Sequence, residues 1–481
     1  MKKTVVIILF GILVFIPGIS FCGDFMLKTA DGNHEVIKYK TYFYVAFDLG
    51  KPSNLTLDSK IALSKVEIGP ESRHIPFSHN RNSVEIKIEK PGYFLVRIND
   101  SIKVFLFAEN PEHLPEGGDA VDFGKIYHPD RTGNINETLK IQQALNEISG
   151  SGKILFFPPG MYKSGQLQIR SNSKIYLARG AEIIADTASM ASFNATDDVK
   201  TKRFIYIGGA VNVEINGYGS INGNGRILRD TFGDDARMRL ILAARSKNIR
   251  ITGLTLKDPG SWNTHMLICE DVTLLKIKLL NDTELSNTDG FDPDAVRNFL
   301  IEDCFAICSD DNVAVKTTGS SGLLGNVYNV TIQGCVFLTK KSALKVGTET
   351  RGESMKNITF EDNDVLECDR GISIYVSDGT ALDSIVYKNN RFGKNYPDAQ
   401  QKAIHIIVGK RNPDSKLGTI NNLMIKDCYF KYAFPKKSVI RYEGPGNGIK
   451  GTIENLIIEG KRVETPESDG IVVENGIIKM K

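Results

Sequence analysis

The sequence has no strong excess of charge of either sign. Its 60 lysines and arginines stand against 57 aspartates and glutamates, which leaves a formal net charge of +3. No run of basic residues interrupts this balance, whereas proteins that bind nucleic acid usually carry a basic patch or stripe. The composition therefore argues against a nucleic-acid partner.

Long apolar runs are also missing after the first 22 residues, since no later segment has 18 consecutive apolar residues, and we expect no membrane span. The beginning of the chain differs. Lys2 and Lys3 precede the apolar run VVIILFGILVFIPGI, which is followed by small residues. This pattern predicts a secretory signal peptide over residues 1–22 and export to the periplasm, the cell surface or the medium. Cys22 is alternatively a site for a lipid anchor, although Phe21 stands where a small residue is wanted.

Cysteine is scarce, and apart from Cys22 it is confined to the second half of the chain, at Cys269, Cys304, Cys308, Cys335, Cys368 and Cys428. An exported protein can form disulfides, but spacing alone does not give their pairing. Four of these cysteines occupy equivalent positions of a sequence repeat, and we expect them to form a buried stack of small apolar side chains. Histidines are scattered, and no Cys/His pair has ligand spacing, so we predict no metal site and no cofactor. A calcium-dependent lyase would need a catalytic base that the sequence does not identify.

The chain divides into two predicted domains. Residues 23–117 alternate apolar and polar side chains in short runs such as SVEIKIEK from Ser83 and YFLVRIN from Tyr93, and turn formers such as KPSN at Lys51 separate them. This pattern predicts a small antiparallel β-sandwich. The segment PEHLPEGGD from Pro111 reads as a linker to residues 118–481.

The second domain is repetitive. The units KNIRITGLTL, EDVTLLKIKLL, RNFLIEDCFAI, YNVTIQGCVFL, KNITFEDNDVL, NNLMIKDCYF and ENLIIEG share one polar anchor followed by alternating apolar residues, and the anchors are Asn248, Asp271, Asn298, Asn329, Asn357, Asn422 and Asn455. Intervals of 20 to 50 residues indicate a solenoid, in which stacked strands bury an apolar face that one repeat cannot bury alone. We therefore expect an all-β chain with a parallel β-helix, preceded by a helix in NETLKIQQALNEISGSG.

Three aspartates stand out within the repeats. Asp289 lies in NTDGFDPD, and Asp310 and Asp311 begin DDNVAVK, 21 residues later. One coil of a β-solenoid is about this long, so the carboxylates are predicted to reach one cleft from neighbouring coils. Glycoside hydrolysis with inversion needs an acid and a base roughly 6.5 to 9.5 Å apart. The alternative is that each segment is an ordinary surface turn.

The two segments resemble the NTDGxD and DDxxAxK/N motifs of glycoside hydrolase family 28, the polygalacturonases, in the same order and spacing. The run from Asp122 through FPPGMY is similar to the entry segment of right-handed pectinase-type β-helices, with the pectin lyase fold. The resemblance implies an inverting glycosidase in which Asp310 is the general acid and Asp289 and Asp311 hold the attacking water. It also implies a polysaccharide or oligosaccharide substrate, most simply a pectic chain that contains galacturonic acid.

Two family motifs are altered. In KSALKVGT, Ser342 stands where the family has a histidine, and in RGISIYV, Ser373 and Tyr375 stand where it has the arginine and lysine that grip galacturonate. The N-terminal β-rich domain also resembles the layout of glycoside hydrolase family 49, the dextranases and isopullulanases, so an α-glucan is an alternative substrate. A carbohydrate-binding solenoid without catalysis is a third possibility, against which the three carboxylates argue.

Three cations near the aspartates are candidates to bind substrate oxygens or a uronate carboxylate, or else to pair with the aspartates: Lys316, Lys345 and Arg370. Trp262 is predicted as a platform for sugar stacking, with a core position as the alternative, and His265 as a hydrogen-bond partner of a sugar hydroxyl. Asp292 and Asp294 are assigned to the turn after Gly290, without a catalytic role.

Overall fold

The structure, a computed structural model, describes residues 23–115, 117–466 and 470–481. The predicted signal peptide and the possible lipid anchor at Cys22 lie outside the described residues. In the described part of the chain, no helix is long and apolar enough to cross a membrane.

The N-terminal unit is a sandwich of two five-stranded sheets. One sheet contains, in spatial order, Gly32–Glu35, Phe25–Thr29, Ser53–Ser59, Ser83–Ile88 and Phe77–His79; the other contains Ile37–Tyr39, Tyr42–Asp48, Ile102–Glu109, Gly92–Ile98 and Val66–Gly69. All pairs are antiparallel except Tyr42–Asp48 with Ile102–Glu109, which is parallel. Alternate residues of each strand, such as Leu55, Leu57, Val84 and Ile86, fill the space between the sheets.

The rest of the described chain is a right-handed parallel β-helix with three long sheets, which confirms the predicted fold. The first sheet contains Ala120–Asp122, Ile154–Phe157, Ser173–Leu177, Val211–Gly217, Lys247–Thr252, Glu270–Leu275, Arg297–Glu302, Val327–Gln333, Ser354–Glu361, Ala381–Lys388, Thr419–Lys426, Ile449–Glu454 and Gly476–Met480. The second contains Thr132–Asn136, Gly160–Ser164, Ala181–Ala185, Ser220–Asn222, Thr255–Lys257, Lys278–Leu280, Phe305–Cys308, Val336–Thr339, Asp364–Cys368, Arg391–Asn395, Tyr429–Phe430, Ile457–Ile458 and Lys461–Arg462.

The third sheet carries the candidate site. Its strands are Leu167–Ile169, Arg203–Gly208, Arg239–Ala244, Thr264–Leu267, Phe291–Asp294, Val313–Thr317, Ser342–Thr350, Arg370–Val376, Lys402–Val408, Ser438–Tyr442 and Ile471–Glu474. One strand of each sheet forms one coil, and the inward residues of all coils stack into one continuous apolar core.

The described residues form four α-helices beside the strands: α1 Phe123–Tyr127, α2 Thr138–Ile148, α3 Thr187–Ser192 and α4 Gly225–Phe232. Short 3₁₀ turns cover Glu71–Arg73, Gly117–Asp119, Asp234–Ala236 and Ser320–Gly322. Helix α2 is the predicted helix before the first complete coil, and it buries Ile141, Ala144, Leu145 and Ile148. Leu139 is exposed, because it lies on the opposite side of the helix from these four residues.

The anchor asparagines of the repeat form a ladder along the outside of the helix. Asn248, Asn298, Asn329 and Asn357 all have positive φ, which Asn adopts more readily than most residues. The amide of Asn329 donates to Asn298 over 3.2 Å and that of Asn357 to Asn329 over 3.1 Å. The anchor asparagines of neighbouring coils are thus linked through their side chains.

The six cysteines of the described chain are unpaired and buried. Cys304 and Cys335 lie on neighbouring coils, and the backbone N–H of Cys304 is 3.4 Å from the sulfur of Cys335. These two side chains therefore stack as small apolar groups in the core, as the repeat positions indicated.

The sandwich packs on the second sheet of the helix. Aromatic residues of the sandwich, Phe105 and Phe107, lie about Phe305 with ring centroids 5.1 and 5.0 Å apart. The ammonium of Lys278 is paired with Glu109 beside this apolar contact. The two units are therefore joined close to the coils that carry the three aspartates.

Candidate active site

The three aspartates meet at the start of two neighbouring strands of the third sheet. Asp289 precedes Phe291–Asp294, Asp310 and Asp311 precede Val313–Thr317, and Phe291 pairs with Val313. One carboxylate oxygen from each aspartate lies within 4.8 Å of the other two. The stacking of two neighbouring coils therefore brings together the three residues that the motifs indicated.

The nearest oxygens of the three carboxylates thus lie closer together than the 6.5 to 9.5 Å that separates the two carboxyl groups of an inverting enzyme in the general rule. The reason is the stacking of the coils, because neighbouring strands lie only about 4.7–4.9 Å apart. Gly290 permits the close approach. A Cβ atom at this position would lie 2.5 Å from the carbonyl oxygen of Asn312 on the next coil.

Asp310 is the aspartate with the most open position. Burial, together with the charges of Asp311 and Asp289, raises its pKa to about 7. Its contacts are modest: Oδ2 accepts a 3.4 Å hydrogen bond from the amide of Asn287, and Oδ1 accepts from the backbone N–H of Asp311 over 3.0 Å. Asp310 is therefore suited to carry a proton near neutral pH and to release it.

Asp311 is held as a carboxylate. Burial alone would raise its pKa, but the charges of Lys345 and Arg370 lower the pKa below its ordinary value. Lys345 Nζ is 2.6 Å from Oδ2, and the backbone N–H of Ser342 donates to Oδ1 over 3.1 Å. Lys345 therefore pairs with the aspartate, which is one of the two roles predicted for it.

Asp289 has one bonded and one free oxygen. Lys316 Nζ donates to Oδ2 over 3.1 Å, whereas the buried Oδ1 has no hydrogen-bond partner among the described residues. Asp289 is only 3% exposed, so this oxygen does not lie in bulk solvent. An acceptor of this kind is suited to orient one water molecule in the cleft.

Lys316 also contacts Asp292, and its Nζ is 2.7 Å from Asp292 Oδ1. The assignment of Asp292 to a turn is wrong, because it lies on the strand Phe291–Asp294 and is 1% exposed. Burial and the charge of Asp289 raise the pKa of Asp292 well above its ordinary value. Lys316 is therefore shared between Asp289 and Asp292.

Trp262 lies between two cations. The guanidinium carbon of Arg239 is 3.8 Å from its ring centroid and Lys316 Nζ is 3.6 Å from it. Two cations this close to one ring must lie on opposite faces, since on one face they would clash and repel each other. A sugar cannot stack on a face that is already covered, so the predicted platform is not supported and the indole instead helps to place Lys316.

His265 is completely buried, which corrects its predicted contact with a sugar hydroxyl. Its Nε2 is 3.0 Å from Asp294 Oδ2, and Asp294 also accepts the backbone N–H of Thr318 over 2.8 Å. Burial lowers the pKa of His265, so the ring is neutral and donates to the carboxylate. Asp294, like Asp292, lies on the strand Phe291–Asp294 and is buried beside the three aspartates.

Arg370 begins the strand Arg370–Val376, the third strand of this sheet after Asp311, and its Nε is 3.4 Å from Asp369 Oδ2. On the same strand, the hydroxyl oxygen of Tyr375 is 2.7 Å from His405 Nδ1. Burial, with Lys402 and Arg370 nearby, lowers the pKa of His405 to about 4, so this histidine is neutral.

The sequence motifs did not indicate His405, because it lies outside any short motif, on the strand Lys402–Val408. This strand is four strands beyond Phe291–Asp294 in the third sheet. The register of the strands could have revealed it, since Lys345 pairs with Ser373 and Ser373 pairs with His405. His405 thus follows Lys345 along one outward-facing column of the sheet.

A cluster of three carboxylates can attract a cation as well as a proton. Here Lys316 and Lys345 already balance the charges of Asp289 and Asp311. The donor set therefore needs no additional positive charge, and the absence of a metal at this site stays a prediction.

Comparison with known proteins places these features in a family. The sequence profile described as "Glycosyl hydrolases family 28" matches residues 153–396, which include all three aspartates. A probable polygalacturonase from Vitis vinifera is 28% identical over 280 residues, which cover 53% of this chain and 56% of that protein. An endo-polygalacturonase from Pectobacterium carotovorum is 26% identical over 285 residues, or 52% of this chain and 69% of that protein. The chain thus spans little more than half the length of the grapevine relative.

Two solved structures share the fold. The exopolygalacturonase from Thermotoga maritima is 17% identical with a TM-score of 0.56, over 73% of this chain and 94% of that one. The polygalacturonase from Erwinia carotovora is 21% identical with a TM-score of 0.56, over 77% of this chain and 99% of that one. Both the sequence profile and the β-helix lead to one conclusion: the chain belongs to family 28 of the glycosyl hydrolases.

Proposed function

We propose that the protein hydrolyses glycosidic bonds of an acidic, pectin-like polysaccharide with inversion at the anomeric carbon. The observation that carries this proposal is that three carboxyl groups meet in one cluster and that two of them, on adjacent residues, have pKa values shifted in opposite directions. The pKa of Asp310 is raised to about 7, while Asp311 beside it has a lowered pKa. Glycoside hydrolysis needs one carboxylic acid and one carboxylate within reach of the same bond.

In the proposed reaction, Asp310 donates its proton to the oxygen of the leaving sugar. Asp289 and Asp311 orient a water molecule and accept its proton as the water attacks the anomeric carbon. All three carboxylates rise from one wall of the cleft, so the reaction axis is expected to run along that wall. The acid and the base then need only the spacing of the leaving and attacking oxygens, which fits carboxylate oxygens within 4.8 Å.

A solenoid that only binds carbohydrate has no need for this arrangement. Crowding of Asp289, Asp310 and Asp311 opposes the ionisation of Asp310. Such a cost is expected where a raised pKa serves catalysis. The two lysine pairs also fit a catalytic role, since Asp289 and Asp311, which accept the proton of the water, are each held in place by an ammonium group.

A row of cations favours an acidic substrate. Arg370 pairs with Ser342 on one neighbouring strand of the third sheet and with Lys402 on the other, and Lys341 directly precedes Ser342. Lys436 lies one coil further on, where its backbone N–H donates to the carbonyl oxygen of Gln401. Lys341 is paired with Asp398 and Arg370 with Asp369. Among the described residues, Lys402 and Lys436 have no carboxylate within ion-pair distance. One cation per coil, on strands about 4.7–4.9 Å apart, suits a chain with regularly spaced carboxylates.

The same site also differs from one built for unmodified galacturonate. Ser342, Ser373 and Tyr375 occupy the positions of the cationic and histidine side chains that the family resemblance implies. The hydroxyl oxygens of Ser342 and Ser373 are buried and have no partner in the described part of the chain. We therefore expect a branched or modified pectic chain to be preferred over plain polygalacturonan, with a neutral α-glucan as the second candidate.

The experiment is to measure release of reducing sugar from a panel of plain, methyl-esterified and branched pectins and of α-glucans. Asp310→Asn serves as the inactive control on each substrate. Hydrolysis of a pectin that is lost in Asp310→Asn supports the proposal, and hydrolysis of α-glucans alone would replace the substrate. No hydrolysis of any panel member, together with tight binding, would favour the carbohydrate-binding alternative. Export of the protein stays a prediction from residues 1–22.

A further inference from the structure

The N-terminal sandwich touches the segment of chain that leads to Asp289. We propose that Tyr42 of the sandwich is a positioning residue for catalysis, which acts through Asn281 to fix the backbone of Asp289. This inference rests on the proposed function, because it concerns how one of the three catalytic carboxylates is held. It gives the sandwich a role in the reaction itself rather than in substrate capture.

The first contact joins the two domains. The hydroxyl of Tyr42 donates to the backbone carbonyl oxygen of Asn281 over 3.1 Å. Tyr42 is 1% exposed, and its ring packs against Phe105 with centroids 5.6 Å apart. A buried hydrogen bond from a side chain with so little freedom fixes the position of the carbonyl that accepts it.

The second contact carries this position to the catalytic segment. The side-chain amide of Asn281 donates to the carbonyl oxygens of Thr288 and Asp289, over 2.8 and 3.2 Å. Its own oxygen accepts from the amide of Asn263 over 2.8 Å. Asn281 is fully buried and all its side-chain groups are bonded, so it cannot change rotamer without breaking several hydrogen bonds.

Further contacts hold the segment between Asn281 and Asp289 from two sides. On the sandwich side, the hydroxyls of Thr41 and Thr283 are 2.9 Å apart. On the side of helix α4, Arg229 Nη1 donates to the carbonyl of Ser286 over 2.6 Å. The segment is thus clamped between the sandwich and α4.

Displacement of Asp289 would change two measurable quantities, kcat and the pH at which Asp310 loses its proton. The free oxygen Oδ1 would no longer be aimed at the water, which lowers kcat. Asp310 is faced by Asp311 and Asp289, whose charges raise its pKa, and by Lys345 and Lys316, whose charges lower it. Withdrawal of the Asp289 charge therefore lowers the pH at which Asp310 loses its proton.

The test compares two Tyr→Phe variants of the full chain. Tyr42→Phe removes the hydrogen bond to Asn281. Tyr39→Phe is the matched control, because the Tyr39 hydroxyl is buried without a hydrogen-bond partner in the described structure and its ring lies 5.5 Å from that of Tyr42. On the best panel substrate, we expect Tyr42→Phe to lower kcat about three- to ten-fold, the worth of one hydrogen bond, with KM unchanged. Tyr39→Phe should keep the wild-type kcat.

The pH profile separates positioning from a loss of stability. We expect the alkaline limb of kcat in Tyr42→Phe to move to lower pH, whereas partial unfolding would reduce the amplitude without moving the limb. A folded Tyr42→Phe with wild-type kcat, or equal losses in both variants, would overturn the proposal. If Tyr42→Phe does not fold, Thr41→Val removes the neighbouring tie at a more exposed position, and a wild-type kcat there would also overturn it. Failure of the proposed function is recognised separately, by a wild-type chain without glycosidase activity.

Discussion

Replacing Asp310 by Asn is expected to lower activity and to raise stability. Asn keeps the size of the side chain but has no proton to donate, so we expect kcat to fall by about 10²- to 10⁴-fold. The stability effect follows from the pKa. The pKa of Asp310 rises from the ordinary 3.8 to about 7 on folding, and a pKa difference of this size corresponds to about 4 kcal/mol.

The sign follows from proton binding. The folded protein holds the Asp310 proton more tightly than the unfolded chain, so the stability of the wild type falls as the pH rises from about 4 to about 7. Asn cannot ionise and escapes this loss. We therefore expect Asp310→Asn to be more stable than the wild type at pH 8, by up to about 4 kcal/mol, and nearly equal to it at pH 4.

The assay is urea unfolding of both proteins at pH 4 and pH 8, alongside initial rates on the best panel substrate. Asp31→Asn, at an exposed turn of the sandwich, is the matched control for the change of residue type. The reasoning is refuted if Asp310→Asn retains near-normal turnover. It is also refuted if the stability difference between variant and wild type is the same at both pH values.

Three further predictions concern the reaction. Activity of the wild type should fall above about pH 7, as Asp310 loses its proton, and a profile that stays flat to pH 9 would exclude it as the acid. Proton NMR of the first product should show the opposite anomeric configuration to the substrate bond, because water held by Asp289 and Asp311 displaces the leaving group directly; retained configuration would indicate a covalent intermediate. Arg370→Ala should raise KM for acidic chains but not for α-glucans, and plain polygalacturonan should be a poor substrate. Rapid hydrolysis of plain polygalacturonan, undiminished in Arg370→Ala and Lys345→Ala, would contradict this view of the site.

The sequence predicted the β-helix because its signal is local and repeated. Each coil carries a polar anchor such as Asn298 or Asn329 and an alternating strand, and one coil resembles the next. The aspartates were found in the same way. Asp289 and Asp310 are about one coil apart in the sequence, and stacking of successive coils in a parallel solenoid places such positions side by side.

Distances and partners depended on how the coils stack. The nearest oxygens of the three carboxylates lie closer together than the sequence suggested, because Gly290 lets the chain approach the next coil closely. The predicted role of Trp262 as a platform is not supported, since its two cationic neighbours, Arg239 and Lys316, lie on other strands of the third sheet, one position before and two positions after Thr264–Leu267. A motif shows which residues are adjacent in the chain, but not which side chains cover them.

The contact between domains was decided by tertiary structure alone. Tyr42 and Asn281 are separated by 239 residues, and nothing in the local pattern of either links them. Repetition in the sequence specifies the solenoid, since neighbouring coils must present matching faces. What packs against the solenoid depends on the shapes of two finished surfaces, and these exist only once both domains have folded.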